Sequence, residues 1–111
     1  AMPSQVHRRQ FVRTPYVTPV VLISPGGSAV DARSEEISEE GMLVLSAVPF
    51  VLGARIKTRF ASPITGEMTT IEANVRWTRD GRGKTAMGLE FEGVPPAVRR
   101  AVADYIGLVK A

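Results

Sequence analysis

The chain has 111 residues, 44% of them hydrophobic and 23% charged, the make-up of a single folded domain. It has no cysteine, which excludes disulfides, zinc–thiolate sites and thiol catalysis, and its net charge of +3 is too small to argue for bulk nucleic-acid binding. No apolar run reaches the length of a membrane span, and residues 1–4 lack the apolar core of an export signal, so neither membrane insertion nor export is expected.

Residues 1–16 are polar, carry Pro3 and Pro15 and show no period. They predict an N-terminal arm, flexible until something orders it, with the domain proper over 17–111. Phe11 and Tyr16, near the hinge, are expected to anchor the arm to the domain. Residues 17–23 are apolar and β-branched and predict a strand, with Pro19 pushing its start toward an edge. The stretch 24–28, Ser-Pro-Gly-Gly-Ser, is a turn by composition. Residues 29–33 are weakly strand-like, and an acidic stretch runs on to Glu40. Gly41 then opens Met42-Leu43-Val44-Leu45, a buried strand.

Gly53 punctuates the next boundary. In 55–60 the residues alternate, with Ile56, Thr58 and Phe60 on one face and Arg55, Lys57 and Arg59 on the other. Pro63 and Gly66 mark a turn. Residues 70–79 give the clearest strand, and alternation puts Ile71, Ala73, Val75 and Trp77 on the inward face, which assigns Trp77 to the core. Asp80-Gly81-Arg82-Gly83 supplies a hairpin turn, and 85–92 alternates again with Met87, Leu89 and Phe91 inward. The period then changes. Val98, Ala101, Val102, Tyr105, Ile106 and Val109 make one apolar helix face, with Pro95 and Pro96 at its first turn. The sum is a mainly β fold: an arm, a small antiparallel barrel of six short strands and one C-terminal α-helix across its end.

Few residues here support catalysis. The one histidine, His7, sits in the arm, where no rigid shell holds a general base. No Gly-x-Ser-x-Gly elbow is present. The acids Glu35, Glu36, Glu39 and Glu40 lack the alternating ligands and mid-loop glycine of a calcium loop, so no metal site is expected. Gly83-Lys84-Thr85 resembles the tail of a phosphate loop, but Thr78 stands where that loop needs glycine and a strand follows. A barrel binding single-stranded nucleic acid needs stacking platforms; of seven aromatic residues, Phe60, Trp77 and Phe91 are assigned inward and few remain.

Charge is unevenly distributed. Residues 1–24 contain Arg8, Arg9 and Arg13 and no acid, and residues 31–40 contain five acids against Arg33. The arm reads Arg8-Arg9-Gln10-Phe11-Val12-Arg13, with Arg9 and Arg13 four apart. Guanidinium groups suit planar anionic ligands, forming paired hydrogen bonds to guanine O6 and N7 or to phosphate and stacking on flat rings. The second motif, Glu36-Ile37-Ser38-Glu39-Glu40-Gly41, places a carboxylate and a hydroxyl on one face of a strand end. Gly41 is expected to free the backbone for a positive φ.

In this order the two motifs resemble the PilZ domain, whose pattern is Arg-x-x-x-Arg in an N-terminal arm, then Asp or Asn-x-Ser-x-x-Gly some twenty to thirty residues on. Here 22 residues separate Arg13 from Glu36. Residues 74–79 resemble the family's fifth strand, and Met87-Gly88-Leu89-Glu90-Phe91 its glycine-containing sixth. The resemblance implies a six-stranded barrel and a cytoplasmic, non-enzymatic bacterial receptor for cyclic di-GMP. It carries no cofactor other than that ligand and passes the signal to a protein effector, as yet unidentified. Arg8, Arg9 and Arg13 would grip guanine edges and phosphates, Ser38 would lie against the ligand and Gly41 would allow the turn. Glu36 departs from the pattern, keeping the carboxylate but displacing it by about 1.5 Å. That departure motivates an alternative, a degenerate PilZ module that acts through protein contacts, using the Arg55, Lys57, Arg59 face or the C-terminal helix.

Overall fold

A computed structural model describes residues 12–110. Seven strands, β1 (Thr14–Pro15), β2 (Pro19–Ile23), β3 (Ala29–Ile37), β4 (Gly41–Ser46), β5 (Arg55–Ala61), β6 (Met68–Gly81) and β7 (Lys84–Glu92), are followed by helix α1 (Pro96–Lys110). All pairings are antiparallel. The order β3-β2-β5-β6-β7-β4 closes on itself through β3–β4, so six strands form a barrel and the short β1 adds to the outside of β3. Closure leaves no long unpaired edge, which is how so small a sheet avoids edge-to-edge association.

The inward residues of every strand fill one core. Leu22, Ile37, Val44, Phe60 and Met87 are fully buried, and the rings of Phe60 and Phe91 stack with centroids 5.9 Å apart. Helix α1 lays Val98, Ala101 and Val102 on this core. Only the first half of its apolar face is covered, since Ile106 is half-buried and Val109 is 49% exposed.

Two bulges reset the alternation. In β3 the register with β4 shifts between Ser34 and Glu36, so Glu35 is the extra residue. Ser34 and Ile37 point into the core, and Glu35 and Glu36 both face outward. In β6 the register with β7 shifts between Val75 and Trp77. Simple alternation assigns Trp77 to the core, and that assignment fails here. Val75 is buried, Arg76 is the extra residue, and Trp77 returns to the outer wall half-buried.

Candidate functional site

The root of the arm is fastened to the end of β3. Thr14 pairs with Ile37 and Pro15 with Glu36, and the Tyr16 N–H donates to the Glu35 carbonyl at 3.0 Å. The buried Ser34 hydroxyl donates to the Tyr16 carbonyl at 2.5 Å and accepts from the Thr18 N–H at 3.0 Å. Tyr16 anchors the hinge from the other side by donating its hydroxyl to the Ala61 carbonyl at 2.6 Å. Burial raises its pKa above the ordinary tyrosine value, so the phenol remains a donor. This register carries Arg13 to the start of the second motif, and its guanidinium lies 4.0 Å from the Glu36 carboxylate. Both side chains are about half exposed, so the pair is worth at most about 1 kcal/mol and does not lock the arm.

The second motif is a tight turn built by its own hydroxyl. Ser38 Oγ accepts the N–H groups of Glu40 and Gly41, each at 3.1 Å, and the Ser38 N–H donates to the Gly41 carbonyl at 2.9 Å. With both lone pairs so engaged, Ser38 has only its O–H proton left to offer a ligand. Gly41 is not there for a positive φ; the glycines with positive φ are Gly27, Gly53, Gly66, Gly83 and Gly93. Instead, a Cβ at Gly41 would run into the Leu89 carbonyl of β7. Close approach of two backbones is the physical reason for this glycine.

Beside the turn opens a cleft of about 900 Å³, in the upper part of the range for small-molecule sites. Arg13, Glu36, Ser38 and Gly41 line one side, and Arg76, Trp77 and Gly88 the other. The Trp77 indole lies so close over Gly88 that any Cβ there would enter the ring. Its neighbour Arg79 holds its guanidinium 5.8 Å from the ring centroid, a cation–π distance. Arg76 Nε lies 3.4 Å from the Glu90 carboxylate. Sequence reasoning misses Trp77 as a site residue because the bulge that turns it outward has no strong sequence mark. Gly88, a glycine in mid-strand where the pattern offers no turn, is the signal that could have found it.

Of the expected site residues, Arg13, Glu36, Ser38 and Gly41 come together. Arg8 and Arg9 lie outside the described residues, as does Phe11. Arg55 in β5 is held by Glu72 at 3.0 Å and Glu92 at 2.6 Å. Among the described residues no three acidic or histidine side chains converge as a metal site would require. No described helix is long and apolar enough to cross a membrane.

Helix α1 touches the turn and the root of the arm. Near its start Arg99 lies 3.5 Å from the Glu39 carboxylate in the turn. Farther along, the Tyr105 hydroxyl donates to the Pro15 carbonyl at 2.6 Å, and its ring meets that of Tyr16 edge-on with centroids 5.2 Å apart.

Solved structures share this architecture, three of them as follows. The inhibitor of motility MotI/DgrA from Bacillus subtilis is 25% identical with a TM-score of 0.78 over 93% of this chain and 51% of that one. YcgR from Escherichia coli, in complex with c-di-GMP, is 18% identical with a TM-score of 0.76, covering 93% and 46%. The PilZ domain of that YcgR with c-di-GMP is 19% identical with a TM-score of 0.73, covering 93% and 92%. The chain thus spans about half the length of MotI and of the longer YcgR structure. No curated protein sequence matches it. The PilZ domain family matches residues 7–108, nearly the whole length, and the closed six-stranded barrel with its C-terminal helix agrees: this chain belongs to the PilZ domain family.

Proposed function

We propose that the protein is a non-enzymatic cytoplasmic receptor for cyclic di-GMP that relays the signal to a protein partner. The observation that carries this reading is the pairing of Pro15 with Glu36, which brings Arg13, Glu36 and the Ser38–Gly41 turn to one cleft. Each group has a task that a guanine dinucleotide would fill. The Glu36 carboxylate accepts hydrogen bonds from the guanine N1–H and N2–H₂ edge. Arg13 and the arm residues Arg8 and Arg9 meet O6, N7 and the phosphates with planar, charge-assisted contacts. The Ser38 O–H donates to a phosphate oxygen. Trp77 offers a flat face on which a purine can stack, a contact worth about 1–3 kcal/mol per base.

The longer acid is accommodated because its present partner is weak. The Arg13–Glu36 pair at 4.0 Å is solvent-exposed and yields readily to a ligand that offers both groups a better partner. Relay follows from helix α1, which is tied to the turn through Arg99 and to the arm root through Tyr105. A ligand held by Arg13 and the turn bears on the helix through these two contacts.

Calorimetric titration with cyclic di-GMP, with GMP as control, tests the reading. Saturable heat that disappears in Arg9→Ala and Arg13→Ala is expected. No heat from a protein shown to be folded by circular dichroism would reject it. That result would favour the alternative, a degenerate module working through protein contacts, for which the non-standard acid Glu36 is the specific observation. Glu36→Asp then asks whether one methylene was the obstacle.

A further inference from the structure

We propose that the end of the barrel remote from the Ser38–Gly41 turn docks on an anionic lipid surface. The β4–β5 connection crosses that end as residues 47–53, Ala-Val-Pro-Phe-Val-Leu-Gly, seven residues without one polar side chain. Phe50 packs against the core and holds the loop down. Val48, Val51 and Leu52 turn outward at 49%, 76% and 66% exposure, and Val51 is the most exposed large apolar side chain among the described residues.

Four backbone hydrogen bonds tie the two ends of this loop to the barrel and leave its tip outermost. The buried Ser46 hydroxyl accepts the Val48 N–H at 3.1 Å and donates to the Val48 carbonyl at 2.8 Å. The Val51 carbonyl accepts from the Ala54 N–H at 3.0 Å, and the Gly53 N–H reaches the Val75 carbonyl at 2.8 Å.

Charge supplies the second signal. Ser46 pairs with Thr85, and Thr85 with Asp80, so the tip of the β6–β7 hairpin stands beside the loop. That tip carries Arg82 and Lys84, both exposed, and its one acid, Asp80, accepts a hydrogen bond from Thr85. The β2–β3 turn at the same end, residues 24–28, has no charged residue. The acids of the connecting turns, Glu39, Glu40 and Glu67, belong to the opposite end, and beside the loop the exposed acids are Asp80 and, one residue from the Ala32–Ser46 rung, Asp31. A shallow aliphatic anchor beside basic side chains is a two-signal arrangement for reversible binding to anionic lipid.

Co-sedimentation with vesicles tests the proposal. The full chain should bind phosphatidylcholine vesicles containing about 30% phosphatidylglycerol at low salt, and pure phosphatidylcholine at least about tenfold more weakly. Each exposed cation near such a surface is worth about fivefold, so Arg82→Glu with Lys84→Glu should weaken binding by at least about 30-fold. Val51→Ser with Leu52→Ser should weaken it by about tenfold or more, with the circular dichroism spectrum unchanged. Failure to bind the anionic vesicles, or equal binding to both lipids, would overturn the proposal and return the loop to a protein partner. So would binding that survives both double variants and is lost in Arg8→Ala with Arg9→Ala, because it would then belong to the arm.

Discussion

Replacing Gly41 separates two reasons for a glycine that sequence alone cannot tell apart. If the residue were needed for backbone freedom, Asn, which tolerates positive φ, would serve better than Ala. The structure assigns a steric reason instead, since a Cβ would meet the Leu89 carbonyl on the paired strand, and that oxygen cannot swing aside as a flexible side chain would. Gly41→Ala must push β4 and β7 apart at the rung where the turn is tied, an overpacking cost of about 1–3 kcal/mol. Unfolding entropy for 111 residues is about 230 cal/mol/K, so the melting temperature should fall by about 4–13 °C. Gly41→Asn should fall at least as far. Gly83 is the control, with φ +73° and open space around it, and there Asn should be tolerated better than Ala. Thermal denaturation followed by circular dichroism reads all four variants. A melting temperature for Gly41→Asn clearly above that of Gly41→Ala would refute the steric reasoning.

Trp77, on the outer wall rather than in the core, should report on ligand: cyclic di-GMP should change its fluorescence, and Trp77→Ala should weaken calorimetric binding by about 5- to 150-fold while leaving the barrel folded. Ile64, a β-branched residue held at φ 71° and exposed, stores strain in the β5–β6 turn, so Ile64→Gly should raise stability by about 0.5–1 kcal/mol in urea denaturation. The raised pKa of Tyr16 means its stabilising hydrogen bond to Ala61 is fully present below pH 10.0 and is lost as pH climbs through the folded-state value. Tyr16→Phe should therefore cost about 1 kcal/mol at neutral pH, and the gap to the parent protein should close in urea titrations above pH 10.

Part of the candidate site was legible in the chain itself. The spacing of Glu36, Ser38 and Gly41 is a linear pattern, and the hydrophobic periods of 85–92 and of the C-terminal helix follow from which side chains must leave water. Strand bounds were less legible. Residues 29–33 read as only weakly strand-like, yet β3 runs on through Glu35 and Glu36 to Ile37, because pairing with β1 and β4 outweighs the low strand preference of glutamate.

The sequence by itself determined a one-domain, mainly β molecule, the order of its elements and the identity of its two motifs, since these depend on composition and local period. Only the tertiary structure decided what the motifs stand against. Bulges at Glu35 and Arg76 arise where a strand must pair with two neighbours at once around a closed barrel, and closure is a property of all six strands together. Those bulges turn Glu36 and Trp77 to the outer wall, where they face each other's strands across one cleft. The reason for Gly41 likewise lies in β7, nearly fifty residues away, in a carbonyl whose position no local pattern records.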